Sequence, residues 1–309
     1  MRRIVWAVAG AMGLCGASGG QTAPAAGSAA GPAINTEAVP AMWQVKGVHG
    51  TVYLFGSVHV MKKGVDWETA KVKAALKSSD VLYLEVADLG PDGIKAMQPM
   101  ILQMGTDAGH PLSTKISKAD VGLIDAAVKT LGGPGESTFE PFQPWLAYLT
   151  LSVLPAVQAG YEPDSGIDQK LLAEAKSEDK PVKGFETAEE QLHFLADFPQ
   201  AQQVELLHQT LVDLPKSTSQ MDEMVADWTK GDVEKIAALE NDEMKTKYPA
   251  LYAKLLVKRN EHFADALAGL LKDPATGTVF VTIGAAHLAG PDSVLKMLAA
   301  KGFSAARVE

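Results

Sequence analysis

Two stretches of sequence decide the fold, YLFGSVH at Tyr53–His59 and VFVTIGAAH at Val279–His287. Each is a β-forming apolar run that stops at a glycine and presents a histidine three residues later, in the pattern G-x-x-H. Glycine lets the backbone turn sharply because it has no Cβ. In open α/β sheets, ligands bind at the carboxyl ends of the strands. The two segments therefore predict two edges of one site, with an imidazole at each.

The strands on either side extend this pattern. Val45–Phe55, interrupted by glycines, predicts a β-hairpin, and Val81–Val86 is a nearly all-apolar run typical of a buried central strand. A helical pattern at Trp67–Leu76 lies between them, which gives the strand–helix–strand order of a parallel or mixed sheet. The chain ends with the strand before His287, a helix over 291–300 and a last strand near 306–308.

The middle of the chain is predicted to be helical. A short strand, Lys180–Glu186, interrupts it and is followed by a capping-box pattern at Thr187–Glu190. The predicted helices are 94–104, 118–131, a segment from the Pro-rich stretch to 154, 167–176, 189–196, 201–211, 220–228, 233–247 and 251–271. We therefore predict an α/β fold with a mixed central sheet built from both chain ends and a large helical insertion.

The amino terminus predicts export. Arg2 and Arg3 precede a short apolar stretch, Ile4–Leu14, and small residues follow. We assign 1–20 to a signal peptide, 21–41 to a flexible linker rich in Gly, Ala, Ser and Pro, and 42–309 to a single domain. The apolar stretch is shorter than the roughly 20 residues of a membrane span, so after signal removal no transmembrane segment is expected. Leu14 before Cys15 argues against a lipoprotein anchor, and the protein is expected to be periplasmic or secreted.

Composition excludes several classes. The chain has 309 residues, 47% of them hydrophobic, and a formal net charge of −9, without the clustered Lys and Arg of a nucleic-acid binder. Its one cysteine, Cys15, is lost with a cleaved signal, so thiol catalysis and Cys-ligated zinc are excluded. H-E-x-x-H, G-x-S-x-G and the P-loop pattern do not occur. Any metal must therefore be held by His, Asp or Glu.

Four residues at predicted strand ends are the candidate metal ligands, namely His59, His287, Glu85 and Glu186. Imidazole and carboxylate are the donors that a divalent metal takes in the absence of sulfur. Each residue also has a structural interpretation. The histidines can cap the strand by binding a nearby carbonyl, Glu85 can be a buried acid satisfied by backbone donors or an Arg, and Glu186 can favour the dipole of the following helix.

Three further residues are candidate catalytic groups besides Glu85 and Glu186. Asp168 lies in the first turn of a predicted helix, where it can equally well favour the dipole. Arg259 and Asn260 lie in the long predicted helix 251–271. Arg259 can stabilise an oxyanion, or orient Glu85 or Glu186 through a bidentate pair. The alternative for Arg259 is an exposed helix residue beside Lys258.

The ordered set of motifs resembles the TraB/GumN/Tiki family over about residues 42–309. The likeness rests on the two G-x-x-H motifs and on Tyr83-Leu84-Glu85, Gly166-Ile167-Asp168, Gly184-Phe185-Glu186-Thr187 and Arg259-Asn260. It implies one α/β domain related to the erythromycin-esterase-like and haem-binding ChaN-like folds. It also implies metal-dependent proteolysis, which is the activity of the animal Tiki members. His59, Glu85, Glu186, Arg259 and His287 match the family pattern, and Asp168 and Asn260 match it less closely.

Three functions remain open at this point. The first is a metal-dependent, peptidase-like hydrolase of the bacterial envelope, with Mn, Co or Zn as cofactor and a peptide or other envelope molecule as substrate. In it the two histidines and one or both glutamates hold the ion, and the remaining glutamate is the general base. The second is a binding protein for haem, metal or a glycan, with Trp145, Tyr148, Tyr161 and Trp228 either as a stacking wall or as core residues. The third is a metal-free, esterase-like hydrolase with His59 as base.

Overall fold

The structure is a computed structural model that describes residues 38–88, 90–130 and 132–309. The predicted signal peptide, with Cys15, and the predicted linker up to residue 37 lie outside the described residues.

A mixed six-stranded sheet forms the centre of the fold, in the order β6-β4-β7-β2-β1-β8. Strands β6, β4, β7 and β2 run parallel, and β1 and β8 extend the sheet antiparallel. A separate two-stranded ribbon pairs β3 with β5. The strand bounds are β1 Met42–Lys46, β2 Thr51–Ser57, β3 Met61–Lys62, β4 Val81–Val86, β5 Tyr161–Glu162, β6 Val182–Glu186, β7 Thr278–Gly284 and β8 Ala305–Arg307.

Helices fill most of the chain between β4 and β7. Among the described residues, none of them is both long and apolar enough to cross a membrane. The α-helices are α1 Ala70–Lys77, α2 Pro91–Gly105, α3 Lys118–Thr130, α4 Pro144–Gln158, α5 Ile167–Ser177, α6 Ala188–Ala196, α7 Gln200–Asp213, α8 Ser217–Thr229, α9 Val233–Ile236, α10 Glu243–Lys247, α11 Pro249–Tyr252, α12 Lys258–Lys272 and α13 Val294–Ala300.

The predicted α/β class, the β1–β2 hairpin and the central position of β4 are confirmed. Two features differ from the prediction. Strand β6, which comes from the middle of the chain, joins the sheet beside β4. The helices predicted at 233–247 and 251–271 are each interrupted by π-helical turns, at Ala237–Asp242 and Ala253–Val257. A π-turn adds one residue to a helical turn, which the apolar period does not reveal.

The two faces of the sheet are covered by different layers, because successive side chains of a strand point to opposite faces. Val52, Leu54 and Val281 pack with Phe263 of α12 and the side chains of α13. Phe55 and Phe280 point to the opposite face, into the larger core shared with the helical insertion. Outside these two apolar layers, polar side chains meet at the carboxyl ends of the parallel strands.

Candidate functional site

Four neighbouring parallel strands deliver the candidate residues to one edge of the sheet. Glu186 and Glu85 lie near the ends of β6 and β4, and His59 follows the end of β2 by two residues. His287 lies in the 3₁₀ turn Ala285–Leu288 that directly follows β7. Since these strands are adjacent and parallel, their carboxyl ends meet, as the sequence predicts.

Arg259, in the first turn of α12, binds both glutamates. Its Nε donates to Glu186 Oε1 at 2.8 Å, and its Nη2 donates to Glu186 Oε2 at 2.7 Å and to Glu85 Oε2 at 2.6 Å. Its Nη1 donates to His287 Nε2 at 3.1 Å and approaches the carbonyl of Leu255 at 3.5 Å. Arg259 is 3% exposed, so it is not the surface residue that its helix position also allows. All five of its N–H groups have an acceptor in this structure, which fits the orienting role.

The charges of this cluster perturb its ionisable groups. Burial alone would raise the pKa of Glu85, but Arg259, together with the backbone N–H of Gly284, holds it well below its usual range. Burial, and then the positive charge of Arg259, lower the pKa of His287 to about 3. His287 is therefore neutral at ordinary pH. Glu85 is ionised.

Asn260 fixes the orientation of His287. The side-chain Nδ2 of Asn260 donates to the carbonyl of Asp292 at 2.7 Å, so its Oδ1 faces the imidazole and accepts from His287 Nδ1 at 2.5 Å. A neutral histidine that donates from Nδ1 carries a lone pair on Nε2. That lone pair accepts the hydrogen bond from Arg259 and lies 3.6 Å from Glu85 Oε1.

Asp168 fixes the orientation of His59. Its Oδ2 lies 2.5 Å from His59 Nδ1. Burial works to lower the pKa of His59, but the charge and hydrogen bond of Asp168 outweigh burial, and the pKa is raised. The approach depends on Gly166, because a Cβ at this position would lie 2.1 Å from the carbonyl oxygen of His59. Gly166 thus lets the start of α5 reach the end of β2.

The reactive atoms meet beside Gly284. A Cβ on this residue would lie 3.2 Å from Glu85 Oε1, 3.2 Å from His59 Nε2 and 3.5 Å from His287 Cδ2. The missing side chain therefore leaves a small space lined by a carboxylate oxygen and two imidazoles. His59 is the part of this lining nearest to solvent, with 12% of its side chain exposed.

All seven predicted site residues thus lie at one edge of the sheet, five of them in one hydrogen-bonded network and His59 with Asp168 as a hydrogen-bonded pair beside it. Their roles as catalytic groups or ligands remain predictions. No group of three or more His, Cys, Asp and Glu side chains within the described ranges is arranged to hold a metal ion as it stands. Glu85, Glu186 and Asp168 bring three negative charges and Arg259 one positive charge, so two negative charges are in excess when both imidazoles are neutral.

Sequence reasoning missed Gln191. Its Nε2 donates to Glu186 Oε2 at 2.9 Å and to Glu85 Oε2 at 3.3 Å, and the residue is buried. It lies on α6 one turn after the capping box of Thr187, and its amide bridges the same carboxylates as Arg259. The available signal was a polar residue on the inward face of the helix that follows strand β6.

Three further histidines, and the four aromatic residues of the binding hypothesis, are not part of the cluster. His110, His193 and His208 bind Asp107, Asp197 and Asp120, all outside the cluster. The residues considered as a stacking wall for haem or a glycan are core residues with at most 2% exposure, namely Trp145, Tyr148, Tyr161 and Trp228. An open cavity of about 760 Å³ lies beside Trp43, Lys296 and Arg307 and includes none of the seven site residues.

Comparison with known proteins identifies the family to which the chain belongs. A family model described as the TraB/PrgY/gumN family matches residues 41–307, and the chain belongs to this family. An uncharacterised protein of Escherichia coli (strain K12), YbaP, is 26% identical over 250 residues, covering 80% of this chain and 87% of that protein. The Shigella flexneri YbaP matches with the same values.

A more distant relative is an uncharacterised protein of Treponema pallidum (strain Nichols). It is 22% identical over 274 residues, which cover 83% of this chain and 79% of the relative. No solved structure matches the chain.

Proposed function

We propose that this protein is an exported metal-dependent hydrolase with peptidase-like chemistry, acting in the bacterial envelope. One observation carries the proposal: His59 Nε2 and Glu85 Oε1 converge on the side-chain position of Gly284, with His287 at its rim. The choice of a peptide as substrate is based on the resemblance to the animal Tiki proteases. The proposed export is based on the sequence pattern of residues 1–20.

The donor set suits a divalent transition metal such as Mn, Co or Zn, held by His59, His287 and Glu85. Neutral imidazoles and a carboxylate are ligands of these ions, and each imidazole donates its other N–H to a polar partner, as metal-bound histidines almost always do. The excess of two negative charges favours a divalent cation. Ion binding at His287 would replace its hydrogen bond from Arg259. When bound, such an ion lowers the pKa of a water towards about 7 and polarises a carbonyl.

The protein groups around this set have separate tasks. Asp168 and Asn260 keep the protons on the Nδ1 atoms, so that each Nε2 carries a lone pair. Glu85 Oε1 accepts the Gly284 N–H but no N–H of Arg259, so it is the oxygen that can ligate or take a proton from water. Both oxygens of Glu186 bind Arg259. Glu186 therefore acts through Arg259 as a positioning residue.

A second candidate is hydrolysis without a metal, with His59 Nε2 as the general base. The pair with Asp168 at 2.5 Å supports it, because a carboxylate on Nδ1 orients the ring and stabilises the imidazolium that forms. In this version Glu85 Oε1 orients the attacking water.

The experiment is hydrolysis of a broad peptide library by protein that has been stripped with a chelator and then supplied with Mn, Co or Zn. The proposal predicts cleavage that depends on the added metal and is lost in His59→Ala. The control His193→Ala, which removes a histidine outside the cluster, should behave as wild type. Activity that survives complete chelation would contradict the metal-dependent mechanism and support the metal-free one. A wild-type protein that binds none of these metals and cleaves nothing would refute both.

A further inference from the structure

The buried hydroxyl of Ser57 stands out next to the proposed reaction centre. Ser57 is the second residue of the first G-x-x-H motif and is 3% exposed. Its Oγ has no hydrogen-bond partner among the described residues. A buried hydroxyl without a hydrogen-bond partner destabilises a fold. We therefore ask which ligand could form a hydrogen bond with this hydroxyl at the end of β2.

The register of the sheet places this side chain beside the space over Gly284. Ser57 is the direct partner of Gly284 in the parallel β2–β7 pair, and adjacent strands lie about 4.8 Å apart. Phe55 and Phe280 point to the same core, and the alternation of side chains puts Ser57 and the position of the absent Gly284 side chain on that same face. The hydroxyl therefore flanks the space that His59 Nε2 and Glu85 Oε1 also line.

The chemistry of the site needs a donor at this place. When water adds to a carbonyl carbon, the π electrons move to the carbonyl oxygen, which becomes an oxyanion and must be stabilised by hydrogen bonds. In this structure every N–H of Arg259 already has an acceptor, and an ion at His287 would release only the Nη1 N–H that now binds that ring. A serine hydroxyl can donate and is the neighbouring group without a partner.

We propose that Ser57 is a catalytic residue whose Oγ–H donates a hydrogen bond to the carbonyl oxygen of the substrate as it becomes an oxyanion. This inference rests on the proposed hydrolase function. Ser57 forms no covalent bond and keeps its proton. The attacking water gives its proton to Glu85 Oε1, or to His59 Nε2 in the metal-free version, and the electron pair returns from the oxygen to the carbon as the leaving group departs with that proton.

The test compares Ser57→Ala, Ser57→Thr and Thr282→Val in peptide hydrolysis, metal content and thermal unfolding. Thr282→Val is the matched control, since Thr282, on the neighbouring strand β7, is also buried and its hydroxyl has no partner among the described residues. We expect kcat of Ser57→Ala to fall on the order of 100-fold, with KM and metal content near wild type and a melting temperature equal or higher. Ser57→Thr should recover part of kcat, and Thr282→Val should keep wild-type kcat.

The outcomes separate this inference from the function on which it rests. Wild-type hydrolysis with unchanged kcat in Ser57→Ala would overturn the role of Ser57 alone. The same holds if kcat falls only together with metal content or melting temperature, because that would make Ser57 structural. A wild-type protein without hydrolytic activity would overturn the function and this inference together.

Discussion

At the scale of single residues, Arg259 holds together two carboxylates that would otherwise repel each other in the protein interior. Glu85 and Glu186 are both buried, and the fork of one guanidinium reaches an oxygen of each while its remaining N–H groups fix His287. Lysine carries the same charge but presents three rotating donors in place of a planar fork. The geometry of the site thus depends on the shape of this cation as well as on its charge.

We predict that Arg259→Lys unfolds more easily than wild type, by about 3 kcal/mol, because it leaves buried charges incompletely paired. Urea denaturation followed by circular dichroism measures this change. The control is Lys258→Ala, since Lys258 is the exposed neighbour of Arg259 and its loss should shift the unfolding free energy by less than about 0.5 kcal/mol. Equal stability of Arg259→Lys and wild type would contradict the bridging role.

Gly284 gives a second prediction at this scale. Gly284→Ala places a methyl group 3.2 Å from both Glu85 Oε1 and His59 Nε2, which is tight enough to move them. We expect the hydrolytic rate to fall by about 10-fold or more, because small displacements of reacting groups are costly. Gly269→Ala on α12 is the control, because its added Cβ meets nothing within 4 Å and a helix gains about 0.5–1 kcal/mol from this exchange. Unchanged kcat in Gly284→Ala would show that the space over Gly284 is not used.

At the scale of elements, the two G-x-x-H motifs are neighbours that are offset by one residue. Thr51 pairs with Thr278, but Gly284 pairs with Ser57 and not with Gly56. A one-residue offset turns a side chain to the opposite face, so the two glycines have different neighbours. A Cβ on Gly56 would lie 3.0 Å from Ala285 Cα, in the turn that carries His287. The missing side chain of Gly56 therefore makes room for the turn that carries His287, whereas the missing side chain of Gly284 makes room between the site residues.

The π-turn at Ala237–Asp242 supports the same turn from the other side. Asn241 is 1% exposed and donates to the carbonyls of Ala286 at 3.0 Å and of Ala289 at 2.9 Å. We predict that Asn241→Ala lowers the unfolding free energy by about 2 kcal/mol, since the buried carbonyl of Ala289 and the half-buried carbonyl of Ala286 lose this donor, and that hydrolysis slows because His287 is less well held. Denaturant titration and peptide kinetics measure the two effects. A variant with wild-type stability and rate would argue against this anchoring.

At the scale of the whole molecule, burial of neutral His287 ties stability to acidity. Its folded pKa of about 3 lies below the ordinary value of 6.5, so between these values the unfolded chain binds a proton that the native chain excludes. The contribution of His287 should therefore lower stability as pH drops below 6.5, by at most about 1.4 kcal/mol per pH unit, whereas Glu174, whose pKa burial and Glu68 raise to about 7, acts in the opposite direction between pH 7 and 4.5. The raised pKa of His59 acts only above 6.5, and the lowered pKa of Glu85 adds its loss only below 4.5.

The check is urea denaturation of wild type and His287→Gln at several pH values from 6.5 to 4.5. The glutamine variant should lose the contribution of His287, so its stability relative to wild type should rise as pH falls through this window, because glutamine cannot be protonated there. Parallel declines in the two proteins would show that another group is responsible.

The sequence predicted the α/β class and the strands at the site because these depend on local patterns. Apolar runs that stop at Gly56 or Gly284, and a buried acid at Glu85, are readable from a few residues each. Contacts between distant segments are not. Arg259 and Glu85 are 174 positions apart, and only the packing of α12 against the sheet makes Arg259 buried rather than exposed. For the same reason the sequence did not predict that the Gln191 amide bridges the two glutamates.

The most direct measurement is titration of the chelator-treated protein with cobalt(II), followed by its visible absorption, in wild type, His59→Ala, His287→Ala and His193→Ala. If the two histidines form one site with Glu85, wild type and His193→Ala bind one ion per chain, and each of the other variants loses binding. Absence of cobalt binding in wild type, or binding that is unchanged in His59→Ala and His287→Ala, would contradict a shared metal site.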